Sequence, residues 1–334
     1  MIVLRDISEK TGYSVSTVSR ALEDSPLISR NTKQIIHRAA VEMNYSFGKK
    51  QQPAHPYKMV GVIIPDITNY FFSCIVQGIN AYYQRSSFIV VIFETGGGDY
   101  EEDTAIKKAV DMQMSGLIVF SSHKELDYLK EVNETKMPIV VIGSEDKGIN
   151  LIDTDNKRGA YLATKHLLSL GHSRIGVASG RLENKSRIAR LEGYKEALIE
   201  SGIQYDPELL WEGSATKNFG YSCALEFLRG GAPPSAVITQ NDLVALGVMT
   251  AAKELGVKVP EQLAVVGYDN TLLATTVTPQ LTSVMQPQAE MGHIAAEIIE
   301  RLASGEKTDK LKVVIAPKLI IRESTVGANV YNND

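Results

Sequence analysis

Two rhythms of apolar and polar positions divide the chain. In the first fifty residues apolar positions recur three and four apart, the spacing of one helix face. Ile7 sits between Asp6 and Glu9 in a short helical pattern that ends near Thr11, where Gly12 tolerates the positive φ of a helix stop. Ser14 follows as an N-cap, its hydroxyl able to accept a bond from an orphan N–H of the next turn. Val15, Val18 and Leu22 line one face of a second short helix, with Ser16, Thr17, Ser19 and Arg20 between them. Asp24-Ser25-Pro26 ends it. Ser29 caps a third helix with the apolar row Ile35, Ile36, Ala39, Ala40 and Met43.

From Met59 the rhythm becomes a short β-branched run, a loop and an amphipathic stretch, repeated. Strands are predicted at Val60–Ile64, Phe88–Phe93, Leu117–Phe120, Ile139–Ile142, Ile175–Ala178, Ala236–Thr239 and Leu263–Gly267. Helices over 71–84, 101–114, 157–170, 187–201, 217–229 and 242–255 lie between most of them. Continuous apolar runs suit strands buried on both faces. The alternation implies parallel sheets with right-handed crossovers, and the strands fit two sheets better than one. The predicted fold class is α/β: two doubly wound parallel-sheet lobes preceded by a small all-α helix-turn-helix domain.

Length and charge sharpen this division. At 334 residues the chain exceeds the ~250–300 at which a single core stops growing. The net charge of −4 excludes a generic polyanion binder. Residues 1–58 nevertheless hold nine Lys/Arg against five Asp/Glu, a surplus of +4 that leaves −8 on the remainder. A basic head on an acidic body puts any nucleic-acid contact on the head. Three helices with a glycine-containing turn form a helix-turn-helix unit. The short hydroxyl side chains of its second helix let the backbone approach a major groove, where Arg20 reaches a phosphate or the O6/N7 edge of guanine. The alternative is a small helical subdomain whose Ser and Thr are merely solvated. Cys74 and Cys223, far apart and in apolar surroundings, read as buried small hydrophobes. No run approaches the ~18 apolar residues of a membrane span, and Met1-Ile-Val-Leu-Arg5-Asp6 shows no basic stretch followed by a long apolar one, so the expected location is the cytoplasm.

Leu4-Arg-Asp-Ile7-Ser, Gly12-Tyr-Ser14-Val-Ser-Thr17-Val-Ser-Arg20-Ala-Leu22, Ile28-Ser-Arg-Asn-Thr32 and Met43-Asn-Tyr45 resemble the DNA-binding head of the lactose/galactose repressor family of bacterial transcription regulators. The body is similar to the same family at Gly61-Val-Ile-Ile-Pro65-Asp, Asp155-Asn156-x-x-Gly159-Ala, His166-Leu-x-x-x-Gly171-His172-x-x-Ile175, Asn241-Asp242, Val266-Gly-Tyr-Asp269-Asn270 and Pro279-x-Leu-Thr-x-Val284-x-Gln286-Pro287. The resemblance implies a periplasmic-binding-protein-like body whose chain crosses between lobes near residues 160, 288 and 321. The implied divisions are a helix-turn-helix domain at 1–46, a linker at 47–58 and an effector-binding and dimerisation domain at 59–334. Lobe 1 then takes about 59–160 and 289–320, and lobe 2 about 161–288 and 321–330. The resemblance makes Val15 and Ser16 base readers with Arg20 beside them. Ser14, Thr17, Asn31 and Tyr45 become phosphate anchors, and Ser19 completes the DNA-binding set. The family's hinge helix ends in Ala-Arg-x-Leu, whose Leu wedges into the minor groove. Here Phe47, Gly48, Pro53 and Pro56 stand instead, and the linker reads as extended.

Ligands of doubly wound sheets bind outside the carboxyl ends of strands. Among the polar residues there, the resemblance assigns Tyr70, Ser122, Asp155, Asn184, Ser186, Arg190, Asn241 and Asp269 to an effector cleft. A guanidinium and a carboxylate chelating adjacent hydroxyls beside aromatic rings suit a sugar or sugar derivative. Plainer roles exist: Asp155 and Asp242 as helix caps, Asn270 as a turn residue, Arg190 with Asp269 as a salt bridge between lobes. Where many members stack an aromatic ring on the ligand, this chain has Ala215. Gly96-Gly97-Gly98-Asp99 reads as a turn rather than a phosphate loop. The six histidines show no metal-ligand spacing and no Gly-x-Ser-x-Gly elbow is present, so no catalytic residue, metal or cofactor is assigned. The expected partners are double-stranded operator DNA, a small carbohydrate-like effector and a second copy of the chain, with no membrane. In that homodimer, Ile75, Ile79 and Tyr82 form a candidate interface stripe. A sugar-binding module without DNA function is the alternative reading.

Overall fold

The computed structural model describes residues 3–22, 25–43, 45, 57–120, 129, 132, 137–143, 148–182, 184–306 and 310–327. It divides into two units, Met1–Tyr57 and Lys58–Asp334.

In the first unit α1 (Leu4–Thr11), α2 (Val15–Leu22) and α3 (Arg30–Glu42) close around Ile7, Val18 and Ile36, all fully buried. Gly12 stops α1 at φ 73°, its N–H donating to the Ser8 carbonyl. Ser14 and Ser29 cap the next two helices through the amides of Thr17 and Thr32. Val15, read as part of the apolar row, is 44% exposed: it opens α2 beyond the reach of the core.

The second unit holds two six-stranded sheets. The first runs β11 (Lys312–Ile315), β5 (Asn150–Thr154), β4 (Ile139–Ile142), β3 (Gly116–Val119), β1 (Lys58–Ile64), β2 (Phe88–Glu94). The second runs β12 (Lys318–Ile320), β10 (Thr282–Met285), β9 (Ala264–Asp269), β8 (Ala236–Thr239), β6 (Ile175–Gly180), β7 (Leu210–Gly213). Adjacent strands are parallel except β10 and β12. The crossover helices are α4 (Tyr70–Tyr83) and α5 (Asp99–Asp111) on the first sheet, then α6 (Asn156–Ser169), α7 (Lys185–Glu200), α8 (Lys217–Arg229), α9 (Asp242–Glu254) and α10 (Leu272–Thr276) on the second. α11 (Gln288–Ala303) returns to the first sheet and α12 (Glu323–Val326) closes on the second.

Two crossings fall earlier than the resemblance implied. α6 packs on β12, β10 and β8, so the chain leaves the first sheet at Asp155 rather than near 160. β11 pairs with β5 and β12 with β10, so the last crossing lies at 316–317 and residues 318–320 belong to the second lobe. Pro317 explains the break, because a residue without an N–H cannot extend the ladder beside β5.

Both sheets carry apolar side chains on both faces. On the first, α4 and α11 meet at glycines: a Cβ on Gly78 would strike the Ala289 carbonyl, and one on Gly292 the Ile75 carbonyl. This contact corrects the interface stripe. Ile75 and Ile79 are fully buried against α11 and cannot face a second copy. An apolar stripe marks a buried face without saying which chain buries it.

On an open helix face, Ala in place of Gly78 would gain ~0.8–1.0 kcal/mol of helix propensity. Here Gly78→Ala should instead lose about 1–3 kcal/mol through overpacking, read as a lower urea midpoint. A raised midpoint would show that α4 and α11 separate without cost.

Candidate functional site

The head presents small donors at one helix start. Ser14 Oγ lies 2.9 Å from Ser16 Oγ and 2.8 Å from Thr17 Oγ1 while capping α2. Val15, Ser16 and Arg20 are exposed; Thr17 and Ser19 are half-buried. Asn31 is exposed in the first turn of α3, so two helix N-termini carry polar groups suited to phosphate oxygens. The Tyr45 ring packs partly against the head core. Residues 47–56 of the linker lie outside the described residues.

In the second unit a cleft of 350 Å³ opens at the carboxyl ends of strands from both sheets. The first lobe contributes Asp66 after β1, Phe120 after β3, Gly143 after β4 and Asp153 at the end of β5. Phe71, Phe72 and Phe120 form an edge-to-face wall with centroids 5.2–6.4 Å apart. The second lobe contributes Asn184, Ser186, Arg187 and Arg190, then Gln240 and Asn241 after β8 and Asp269 at the end of β9. Ala215 lines the cleft where an aromatic ring was absent from the sequence.

Arg190 is fixed on three sides. Its Nε donates to Asn156 Oδ1 at 2.8 Å, its Nη1 donates to the Gln240 carbonyl at 2.7 Å, and its guanidinium lies 3.5 Å over the Tyr268 ring. Asp269 Oδ1 accepts from Gln286 Nε2 at 2.6 Å, and its carbonyl accepts from Gln288. Burial raises the Asp269 carboxyl, opposed by the Arg190 charge and the Gln286 bond. Both residues stand on the second lobe and are bonded to other groups, so the alternative role of a salt bridge between lobes does not hold.

Other candidates are placed as follows. Asn184 caps α7 at the Ser186 amide, and Ser186 Oγ donates across the lobes to the Gly143 carbonyl at 2.9 Å. Asn241 caps α9 at the Val244 amide. Tyr70 lines a smaller hollow of 90 Å³ beside the cleft, with Asn69, Asn241 and Asp269 shared between the two. Asp155 is not in the cleft: it caps α6 at the Arg158 amide and faces a separate hollow. Asp153, two residues earlier near the end of β5, lines the cleft instead. Ser122 lies outside the described residues. Reading strand ends alone misses Asn156, Arg187, Gln240 and Gln286. The spacing of Arg187 three residues before Arg190 was the available signal, since it puts both on one helix face.

Among the described residues no cluster of His, Cys, Asp or Glu is placed to hold a metal ion, and no helix is long and apolar enough to cross a membrane.

A helix-turn-helix head followed by a two-lobed ligand cleft defines a ligand-responsive DNA-binding transcription regulator. Residues 3–46 match the bacterial regulatory proteins of the lacI family, and residues 164–325 match the periplasmic binding protein-like domain. The HTH-type transcriptional regulator DegA of Bacillus subtilis (strain 168) is 30% identical over 338 residues, 97% of this chain and 98% of DegA. The lac repressor dimer bound to operator and the anti-inducer ONPF is 28% identical, with a TM-score of 0.72 over 98% of this chain and 99% of that one. A LacI family transcriptional regulator from Enterococcus faecium with bound ribose is 29% identical, with a TM-score of 0.73 over 80% and 98%. The chain belongs to the lacI family of bacterial regulatory proteins.

Asp242 gives the site a pH signature. Buried at the base of the second lobe's strand ends, it accepts from Thr271 N at 2.6 Å, Thr271 Oγ1 at 2.8 Å and Ser283 Oγ at 2.6 Å. Burial and the Asp269 charge nevertheless push its carboxyl from 3.8 up to about 7. Between those values the folded chain binds the extra proton, so stability from this group is full at low pH and is lost as pH rises through the folded value. The stability difference between wild type and Asp242→Asn should therefore narrow from pH 4 to pH 8 in urea unfolding. A constant difference would show that Asp242 titrates alike folded and unfolded.

Proposed function

We propose that this regulator is a homodimeric repressor working in the cytoplasm, whose operator affinity is set by a small carbohydrate-like effector in the cleft. The second helix of each head reads one half-site of double-stranded operator DNA. Val15, Ser16 and Arg20 meet base edges, Ser19 lies beside them, and Ser14, Thr17, Asn31 and Tyr45 hold phosphates. Small exposed side chains at the start of α2 support this, because they let the helix approach the groove floor. The dimer follows from how few bases one three-helix head reads; the structural neighbour bound to operator is itself described as a dimer.

The effector is taken by Arg190 and Asp269, with Asn184, Ser186 and Asn241 beside them and Tyr70 at the mouth. The neighbour with bound ribose supports a ligand of sugar size. The observation that carries the reading is how the two charged residues are held. Asn156, at the first crossing between lobes, positions Arg190; Gln286 and Gln288, at the second crossing, position Asp269. A ligand gripping both side chains therefore pulls on two of the strands that set the angle between the lobes. That change of angle is what the DNA side senses.

Arg20→Ala should weaken binding to an operator selected from random duplexes by roughly 1–3 kcal/mol and relax its specificity. Thr17→Ala should weaken all duplexes about equally. Gel shifts on selected and random DNA distinguish the two, and an equal loss on both for Arg20→Ala would reduce that residue to a phosphate anchor.

A further inference from the structure

Two guanidinium groups stand side by side in the cleft, and only one is locked. Arg187 and Arg190 lie three residues apart on α7, so they share a helix face. Gln240 holds both: its side-chain oxygen accepts from Arg187 Nε at 3.1 Å, and its carbonyl accepts from Arg190 Nη1. Gly180 leaves the room, since a Cβ there would overlap Arg187. The terminal nitrogens of Arg187 and the Nη2 of Arg190 bond nothing among the described residues. No carboxylate lies within 4.0 Å of either guanidinium among them. The cleft carboxylates are occupied elsewhere: Asp66 takes Thr68, Asp153 takes Asn156, and Asp269 takes Gln286 through one oxygen. Burial and the neighbouring Arg190 charge lower Arg187 to about 10, so it remains a cation at neutral pH.

A partly buried guanidinium whose nearest acting counter-charge, Asp269, is not in ion-pair contact with it is a costly arrangement unless something supplies a closer one. We infer that the effector carries an oxyanion, a carboxylate or a phosphate, held in the fork of Arg187 and Arg190, while its hydroxyls donate to Asp269. Arginine pairs grip planar or tetrahedral oxyanions through parallel N–H bonds. The second carboxylate oxygens of Asp269 and Asp66, not used by Gln286 and Thr68, take hydroxyl donors. Acceptors toward hydroxyls and donors toward an anion together describe an acidic or phosphorylated sugar. The cleft volume of 350 Å³ sits near the lower end of the ~300–1,000 Å³ seen for small-molecule sites, which suits a single ring. The inference rests on the cleft being the effector site and adds the charge of what it takes.

The test is a thermal-shift titration of the full chain at matched ionic strength with D-glucose, D-glucuronate, D-glucose 6-phosphate and inorganic phosphate. Wild type should be stabilised by one or more of the anions and much less by D-glucose. D-Glucuronate against D-glucose 6-phosphate separates carboxylate from phosphate. Arg187→Met, which keeps length without charge, should lose the anion response by roughly tenfold or more in affinity, and Arg187→Lys should keep part of it. Circular dichroism of both variants checks that they fold. No stabilisation by any anion, or D-glucose binding as tightly as its acids with Arg187→Met unchanged, would overturn the inference. Anion binding that survives both Arg187→Met and Asp269→Asn would place the site elsewhere and fail the cleft reading itself.

Discussion

The guanidinium of Arg190, laid over the Tyr268 ring and bonded to Asn156 and the Gln240 carbonyl, is the contact on which the ligand-binding unit is arranged. A cation drawn out of water must have its N–H groups satisfied, or it destabilises the fold by several kcal/mol. Here three different stretches of chain hold it: the start of α6 and the residue after β8 accept from Nε and Nη1, and the ring on β9 takes the guanidinium face. The Tyr268 hydroxyl is buried without a hydrogen-bond partner among the described residues, and the ring face is what meets Arg190. Gly159 is needed beneath it, since a side chain there would overlap that hydroxyl.

The same contact lies at the crossings between lobes. Asn156 begins α6 just where the chain leaves the first sheet, and Gln286 and Gln288 flank the return. Arg190 and Asp269 are thus each held by residues of a connection between lobes. Ser186, bonded to Gly143 across the cleft, adds a link at the opposite wall. A ligand that binds the pair changes forces on all of these, whereas one that touches only the aromatic wall of Phe71, Phe72 and Phe120 would not. A conformational response requires such differential contact with the two lobe arrangements.

Features local in sequence were legible there. The helix-turn-helix head follows from a glycine stop, two serine caps and hydroxyl spacing within twenty residues. Arg190, Ser186, Asn184, Asn241 and Asp269 were picked out by the family resemblance among the polar residues that follow strands, and the structure brings all five into one cleft. What escaped depends on distant chain. Gln240 and Asn156 matter because they meet Arg190, and nothing near them in sequence announces that. Asp155 reads as a cleft residue by position, yet it caps α6, and Asp153 lines the cleft instead. Ile75 and Ile79 read as a dimer stripe because their true cover, α11, lies more than two hundred residues later. The strand Leu210–Gly213 is short and polar at an edge, and β5 carries only Leu151 and Ile152 as an apolar core, so neither shows the long run of a central strand.

A cleft ligand that regulates operator binding must be thermodynamically linked to the DNA-reading head. The direct measurement is fluorescence anisotropy of a labelled operator, titrated with the full chain. It is run with and without whichever of D-glucose, D-glucuronate and D-glucose 6-phosphate binds tightest. The ligand should shift operator affinity by roughly 5–150-fold, and saturating operator should shift ligand affinity by the same factor. A ligand that occupies the cleft while operator affinity stays within about twofold would contradict that linkage.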